Sequence, residues 1–115
     1  MRPYTTPTHE FETDIDLTEA SALYMTYKQD IGGCRRGCNM ADAWHDMDTV
    51  LEKTIDDVRI EPDMIYVPLT QEETGKFKAN HTVYIQCRVK FPDGSALASN
   101  IVAAGVEEVL KKGVI

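Results

Sequence analysis

Apolar and polar residues alternate through much of this 115-residue chain, most clearly in the stretch HTVYIQCRVKF at 81–91. A period of two is typical of a β-strand with one buried and one exposed face. The residues expected to point inward are Val83, Ile85, Cys87, Val89 and Phe91. A cysteine on such a face is interpreted as a small buried hydrophobe rather than a reactive thiol.

The stretch HEFETDIDL at 9–17 alternates in the same way, with Phe11, Ile15 and Leu17 on one face. Its other face carries four carboxylates: Glu10, Glu12, Asp14 and Asp16. We interpret this row as a solvated face that discourages another strand from pairing at the edge, rather than as a metal site.

Shorter alternating stretches predict further strands. They are ASALYMTYKQ with Leu23, Met25 and Tyr27 on one face, TVLEKTI, DDVRI beyond a kink, MIYVPLT and ALASNIVAAGV. Pro68 in MIYVPLT indicates an edge strand or a bulge, because proline cannot donate to a sheet ladder. The tail VEEVLKKGVI is compatible with a strand or with a helical turn that ends at Gly113.

Three short connections have recognisable turn chemistry. Pro62-Asp63 predicts a turn, and FPDGS predicts a hairpin turn with Gly94 at the position of positive φ. TQEETG predicts one capped helical turn, in which Thr70 caps the start, Glu73 completes a capping box and Gly75 takes a left-handed exit.

Six or seven short antiparallel strands at this spacing predict a mainly β fold, a sandwich of two sheets. We expect a flexible N-terminal arm at 1–8 and one domain at 9–115. The expected core comprises Phe11, Ile15, Leu23, Met25, Ile65, Val67, Val83, Ile85, Cys87, Val89 and Ile101.

The charge balance limits the classes of partner. The formal net charge is −7 and the isoelectric point is near 4.8, which argues against nucleic acid and against an anionic membrane surface, since both attract basic proteins. No apolar run approaches the roughly 18 residues of a membrane span, and the N-terminal residues lack the apolar core of a signal peptide. We therefore expect a chain that is used without export.

The stretch CRRGCNMADAWHDMD at 34–48 breaks the alternation. Cys34, Cys38 and His45 could contribute to a metal site, but the paired spacing typical of zinc ligands is missing. A disulfide between Cys34 and Cys38 is sterically allowed and should be open in a reducing cytosol. Apolar residues from Asn39 onward recur with helical spacing, which predicts a short helix at about 39–48 and a strand from Val50.

Three further segments, TVLEKTIDDVRIEPDMIYVPLTQEETGKF, VYIQCRVKFPDGSALASNIV and VEEVLKKGVI, together resemble small proteins encoded in the tail regions of phages and prophages of gut Firmicutes. The resemblance covers about three quarters of the chain and rests on structural rather than catalytic motifs. The segments are also similar to the immunoglobulin-like modules at the N-terminus of phage baseplate and receptor-binding proteins. The resemblance implies a single immunoglobulin-like antiparallel β-sandwich.

In the resembling proteins a short turn joins the two strands that flank residues 31–48. This stretch is therefore expected to be an insertion, with a short helix, at a hairpin tip. Loop tips often carry recognition residues, and the insertion is rich in residue types found at binding hot spots. The candidate partner-binding residues are Arg35, Arg36, Met40, Trp44, His45 and Met47. The alternatives are a cap that packs Trp44 and Met47 on the core, or a grafted segment.

The sequence shows no pairing of a nucleophile with a base, so we expect no enzyme and no cofactor. The resemblance implies a non-enzymatic virion structural protein, associated with the tail or baseplate and assembled in the host cytoplasm. Its expected partners are other virion proteins or further copies of itself, with a host surface ligand as a candidate for the insertion. The alternative function is a metal- or redox-responsive binding module centred on residues 34–48.

Overall fold

The computed structural model describes residues 1–29 and 48–115. Eight strands are found in these residues: β1 Thr8–Glu12, β2 Ala22–Gln29, β3 Asp48–Thr54, β4 Arg59–Glu61, β5 Met64–Pro68, β6 Thr82–Lys90, β7 Ala96–Ala98 and β8 Val102–Gly105. A 3-10 helix at Ile55–Asp57 follows β3, and the short helix α1, Gln71–Thr74, follows β5. The fold is therefore mainly β, as the alternation predicted.

The strands form two antiparallel sheets that pack face to face. The smaller sheet has the order β1-β5-β4, and the larger has the order β3-β2-β6-β7, with β8 also paired to β6. This is the strand order of an immunoglobulin-like sandwich: β1, β5 and β4 take the places of strands B, E and D, while β3, β2, β6 and β7/β8 take those of C′, C, F and G. The predicted fold class is confirmed.

The core lies between the sheets and contains the inward residues of the two longest strands. From β2 these are Leu23, Met25 and Tyr27; from β6 they are Val83, Ile85 and Val89. The smaller sheet contributes Ile65 and Val67, and Phe11 and Cys87 are half-buried against this cluster.

Two residues expected in the core are exposed, so the prediction for them was wrong. Ile15 is 53% exposed because β1 ends at Glu12, and the chain then bends through a turn in which the Asp16 carboxylate accepts hydrogen bonds from the backbone and hydroxyl of Thr18. Ile101 is 44% exposed because it lies in the break between β7 and β8.

Other local predictions meet mixed outcomes. The capping box at α1 is confirmed, since the Glu73 N–H donates to Thr70 Oγ1 and the Thr70 N–H donates to Glu73 Oε1. Gly75, however, is right-handed with φ of −65°. Its small size matters instead, because a Cβ there would lie 2.4 Å from the ring of Tyr4. Pro68 does not mark an edge strand, since β5 is central and Pro68 is its last residue.

The N-terminal residues, for which the sequence predicts a flexible arm at 1–8, contact the domain, and Thr8 already belongs to β1. The buried Thr74 hydroxyl donates to the Thr5 carbonyl and accepts from the Thr5 N–H. The Arg2 guanidinium contacts the carboxylate of Glu107 at 2.7 Å. These contacts hold the arm beside α1 and the segment that follows β8.

Charged and polar side chains connect the loops to the larger sheet. Lys53, on β3, is 8% exposed, and its ammonium lies 2.6 Å from Glu73 Oε2. Burial by itself would raise the pKa of Glu73, but hydrogen bonds from Lys53 and Thr70 outweigh it, so the pKa is lowered. Gln29 is fully buried and bonds the backbone of the loop before β6 through Lys78 and His81.

Gln29 and Asp48, the last residue of β2 and the first of β3, are directly opposed Cα partners. The predicted insertion therefore ends one residue earlier than expected, because Asp48 lies in a strand. Residues 30–47, with the predicted helix, lie outside the described residues. A two-residue turn joins opposed residues of an antiparallel pair, so Asn-Gly has the right length to replace residues 30–47.

We predict that this replacement leaves a folded sandwich. Shortening the loop by about three doublings should stabilise the protein by about 2 kcal/mol if residues 30–47 add no packing, since each doubling of loop length costs about 0.6 kcal/mol. Urea denaturation measures the change. A loss of about 3–5 kcal/mol, typical of removing a buried tryptophan, would instead identify residues 30–47 as a cap on the core.

The pair Lys53–Glu73 gives a second prediction. Lys53→Met should lower the free energy of unfolding by about 3 kcal/mol, because it leaves the carboxylate of Glu73 without its buried counter-ion. The double variant Lys53→Met, Glu73→Gln should recover most of that loss, because the amide keeps the capping interaction and carries no charge. Equal losses in the single and double variants would show that Lys53 contributes by packing alone.

Candidate functional site

The sequence-predicted site residues all lie outside the part of the chain that the structure describes. This holds for the candidate disulfide of Cys34 and Cys38 and for the candidate partner-binding residues Arg35, Arg36, Met40, Trp44, His45 and Met47. The flanking strands are described, and they show that this stretch begins and ends at neighbouring positions, Gln29 and Asp48. The disulfide and the partner-binding role of these residues remain predictions.

A different feature stands out among the described residues: an apolar cleft between the two sheets. The cleft has a volume of about 370 Å³. One side is formed by β1 and the residues that follow it, and the other by β7, β8 and the break between them. The lining residues are Phe11, Glu12, Thr13, Asp14, Ile15, Leu17, Met25, Ile65, Ile85, Cys87, Val89, Leu97, Ala98, Ser99, Asn100 and Val102.

The cleft is open because both sheets end beside it. Within residues 1–29 and 48–115, β1 pairs only with β5, so its other edge has no strand beside it. In immunoglobulin-like sandwiches strand A lies beside strand B at this edge of the sheet. The N-terminal arm does not fill the position, because the Met1 amine donates to the Gly105 carbonyl and the Glu107 N–H donates to the Met1 carbonyl, beyond the end of the cleft.

The opposite wall has a strand break held by Ser99. Its N–H donates to the Cys87 carbonyl, and its hydroxyl accepts from the Cys87 N–H at 3.0 Å. The side chain of Gln86 also donates to the Ser99 carbonyl. The strand that would run continuously beside β6 is thereby divided into β7 and β8, and the break turns Asn100 and Ile101 toward solvent at the lip of the cleft.

Cys87 and Thr13 bring a thiol and a hydroxyl to the lining of the cleft. Burial raises the pKa of the Cys87 thiol to about 11, so this cysteine is protonated at neutral pH and is a poor nucleophile. Thr13 contributes a buried hydroxyl oxygen that has no hydrogen-bond partner among residues 1–29 and 48–115. A buried polar group without a partner costs free energy, so the Thr13 hydroxyl is suited to a hydrogen bond with whatever occupies the cleft.

The remaining perturbed carboxylates belong to local turns rather than to a constellation. Hydrogen bonds from the hydroxyl and backbone of Thr18 lower the pKa of Asp16, and equivalent bonds from Ser95 lower that of Asp93. Hydrogen bonds from the backbone and hydroxyl of Thr54 lower the pKa of Asp57. Searched over the described ranges, the structure has no group of three histidine, cysteine or acidic residues that could hold a metal ion. No helix in these ranges is long and apolar enough to cross a membrane.

Sequence reasoning did not find the cleft, although Ile15 and Ile101 carried a signal of it. Both are apolar residues that lie where a strand ends, Ile15 beyond β1 and Ile101 between β7 and β8. Alternation alone predicts both residues in the core, whereas the structure places Ile15 in the lining of the cleft and Ile101 between two lining residues, Asn100 and Val102. Whether such a residue lies in the core or at the cleft depends on where the sheets end, which is decided by tertiary structure.

Away from the cleft, the half-buried ring of His9 and the buried ring of Tyr27 join the two sheets. His9 Nδ1 lies 2.9 Å from the hydroxyl of Tyr27, and the two rings are 5.8 Å apart. Burial, followed by the positive charge of the N-terminus, lowers the pKa of His9. Burial, followed by the charge of Glu73, raises the pKa of Tyr27. In the tautomer of neutral His9 that carries its proton on Nε2, Nδ1 accepts a hydrogen bond from the Tyr27 hydroxyl.

We predict that this contact makes stability depend on pH. The unfolded histidine takes up a proton near pH 6.5, while the folded protein resists protonation, so the stabilisation is complete above pH 6.5 and is lost as the pH falls through the lower folded value. Urea midpoints measured between pH 7.5 and 5 should fall more steeply for the native protein than for the double variant His9→Phe, Tyr27→Phe. Parallel curves would contradict the assignment.

The comparisons with known proteins add no relative: no family model, curated protein or solved structure matches this chain.

Proposed function

We propose that this protein is a non-enzymatic structural component of a phage or prophage virion, associated with the tail or baseplate, and that it acts through protein–protein contacts. The observation that carries the contact role is the open apolar cleft at an edge of the sandwich. The virion context rests on the motif resemblance of the three segments described above. The partners are other virion proteins or further copies of the chain, met during assembly in the host cytoplasm.

The cleft is suited to an extended polypeptide. An edge strand presents backbone N–H and C=O groups that an added strand can pair with, while side chains of that strand enter the adjoining pockets. Here the edge strand is β1, and the apolar lining provides the pockets. The buried hydroxyl of Thr13, which has no partner in the part of the chain that the structure describes, supplies one polar group for such a segment. Together these features support recognition of a main chain more than of a small polar molecule.

We predict that an antibody against the purified chain labels the tail or baseplate of particles released by the encoding strain, as seen by electron microscopy. A chain carrying Val102→Asp should be incorporated much less, because the substitution places a charge at the lip of an apolar cleft. Val102 is 47% exposed, so the change should leave the fold intact. Particles that lack the chain would contradict the proposal.

The matched control is Tyr24→Asp. Tyr24 is also 47% exposed and also lies on a strand, but it does not line the cleft. It should be incorporated as the native chain is. Two further variants separate the cleft from the predicted insertion: one has Asn-Gly in place of residues 30–47, and the other carries Trp44→Ala. If these variants lose incorporation and Val102→Asp does not, the contact is made by the insertion.

A further inference from the structure

The exposed large hydrophobic residues fall into two groups. Eight are found in the described ranges: Ile15, Tyr24, Leu97, Ile101, Val102, Leu110, Val114 and Ile115. Three of them line the cleft, Ile101 lies between two lining residues, and three lie in the C-terminal segment, residues 109–115. Tyr24 alone belongs to neither group. Exposed apolar surface of this kind marks an interaction site, so the cleft and the C-terminal segment are both suited to a contact.

The charges of the two groups are complementary. The cleft is bordered by Glu12 and Asp14, and the acidic row continues with Glu10 and Asp16 on the exposed face of β1 and beyond. The C-terminal segment carries Lys111 and Lys112 between its apolar residues and has no acidic side chain. An extended segment with this composition would place cations beside the carboxylates while its apolar side chains enter the cleft.

The segment does not reach the cleft of its own chain. Val102, at the start of β8, lines the cleft and pairs with Ile85, whereas Gly105, at its end, pairs with Thr82. The chain therefore leaves β8 in the direction away from the cleft. At its far end the Ile115 N–H donates to the side chain of Gln71 on α1. Leu110, between these points, is fully exposed.

We propose that the cleft of one copy binds the C-terminal segment, residues 109–115, of a second copy. The bound segment extends the smaller sheet beside β1 and gives the Thr13 hydroxyl a backbone partner. Seven extended residues reach about 23 Å, enough to cover the stretch from Phe11 to Ile15 that lines the cleft. This inference rests on the proposed contact function of the cleft and specifies the occupant.

The contact is of the head-to-tail kind. Each copy offers one cleft and one segment at different places on its surface, so a copy whose segment is bound still has a free cleft. Such contacts generate a ring if the rotation between copies closes and an open row if it does not. A ring and an open row are both repeating assemblies that a small protein can form through one type of contact.

The test compares charge-reversed variants by sedimentation velocity over a range of protein concentrations. Lys111→Glu, Lys112→Glu reverses the segment, and Glu12→Lys, Asp14→Lys reverses the border of the cleft. Each should weaken self-association at least tenfold, and an equimolar mixture of the two should restore it, because each then meets an opposite charge. The native association should weaken in about 500 mM salt, which screens surface charges.

Two controls isolate the segment. Arg88→Glu, Lys90→Glu changes the net charge by the same amount at exposed positions of β6 and should associate as the native chain does. A chain truncated after Val109 should keep its unfolding midpoint in urea and lose association. Circular dichroism and the urea midpoint, measured on every variant, exclude unfolding as the cause of a lost contact.

The inference is overturned if the native chain is a monomer at millimolar concentration, if the truncated chain associates normally, or if the mixture of reversed variants does not associate. These outcomes are distinguishable from failure of the proposed function. A monomeric chain that still labels virion tails rejects the second copy as occupant and leaves the virion role intact. A chain that associates through its segment but is absent from particles supports the head-to-tail contact and rejects the virion role.

Discussion

The pairing of β2 with β6 is the interaction on which the rest of the structure depends. Eight residues of β2 are in register with β6, from Ala22 opposite Lys90 to Gln29 opposite Val83. A shift of one residue would turn every inward side chain of a strand to the outside. With Leu23 and Met25 only 1% exposed and Tyr27 fully buried, such a shift would empty the core. Every other strand of the larger sheet pairs with one of these two.

The borders of the sandwich are closed in different ways. Beside α1 and the loop before β6, polar side chains with satisfied hydrogen bonds connect the elements. The buried amide of Gln29 donates to the Lys78 carbonyl at 2.6 Å and accepts from the Lys78 N–H at 2.7 Å. Satisfied polar groups of this kind favour one arrangement of the chain, because any other would leave them unpaired. Beside β1 and β7, the corresponding space is lined by apolar groups and stays open.

The sequence predicts local features well where the local pattern alone decides them. The alternation of β2 and β6 identifies their inward residues, because both strands are covered on one face along their whole length. The capping box of Thr70 and Glu73 follows from hydrogen bonds that span three residues. The prediction that Gly75 ends a turn is confirmed, but a left-handed conformation is not the reason for the glycine. The ring of Tyr4, about seventy positions earlier, requires the missing side chain.

The cleft could not be predicted for the same reason that Ile15 and Ile101 were misplaced. Alternation tells which face of a strand is apolar, but not whether a neighbouring strand covers that face. At Ile15 the chain has turned out of β1, and at Ile101 the Ser99 bonds have divided the last strand. In both places the missing neighbour would have to come from another part of the chain, so the local pattern is the same for a buried residue and for the border of an open cleft.

The acidic row on β1 connects these points, because one set of charges can both prevent and select a contact. An exposed edge strand is a site at which identical strands can pair and aggregate. Two copies of β1 placed side by side would bring the carboxylates of Glu10 and Glu12 against each other, and like charges opposed across a sheet are destabilising. A strand that carries lysines meets no such repulsion. The row therefore discriminates by charge between one edge and another segment of the same chain, and the apolar lining behind it provides the area that a selected segment would bury.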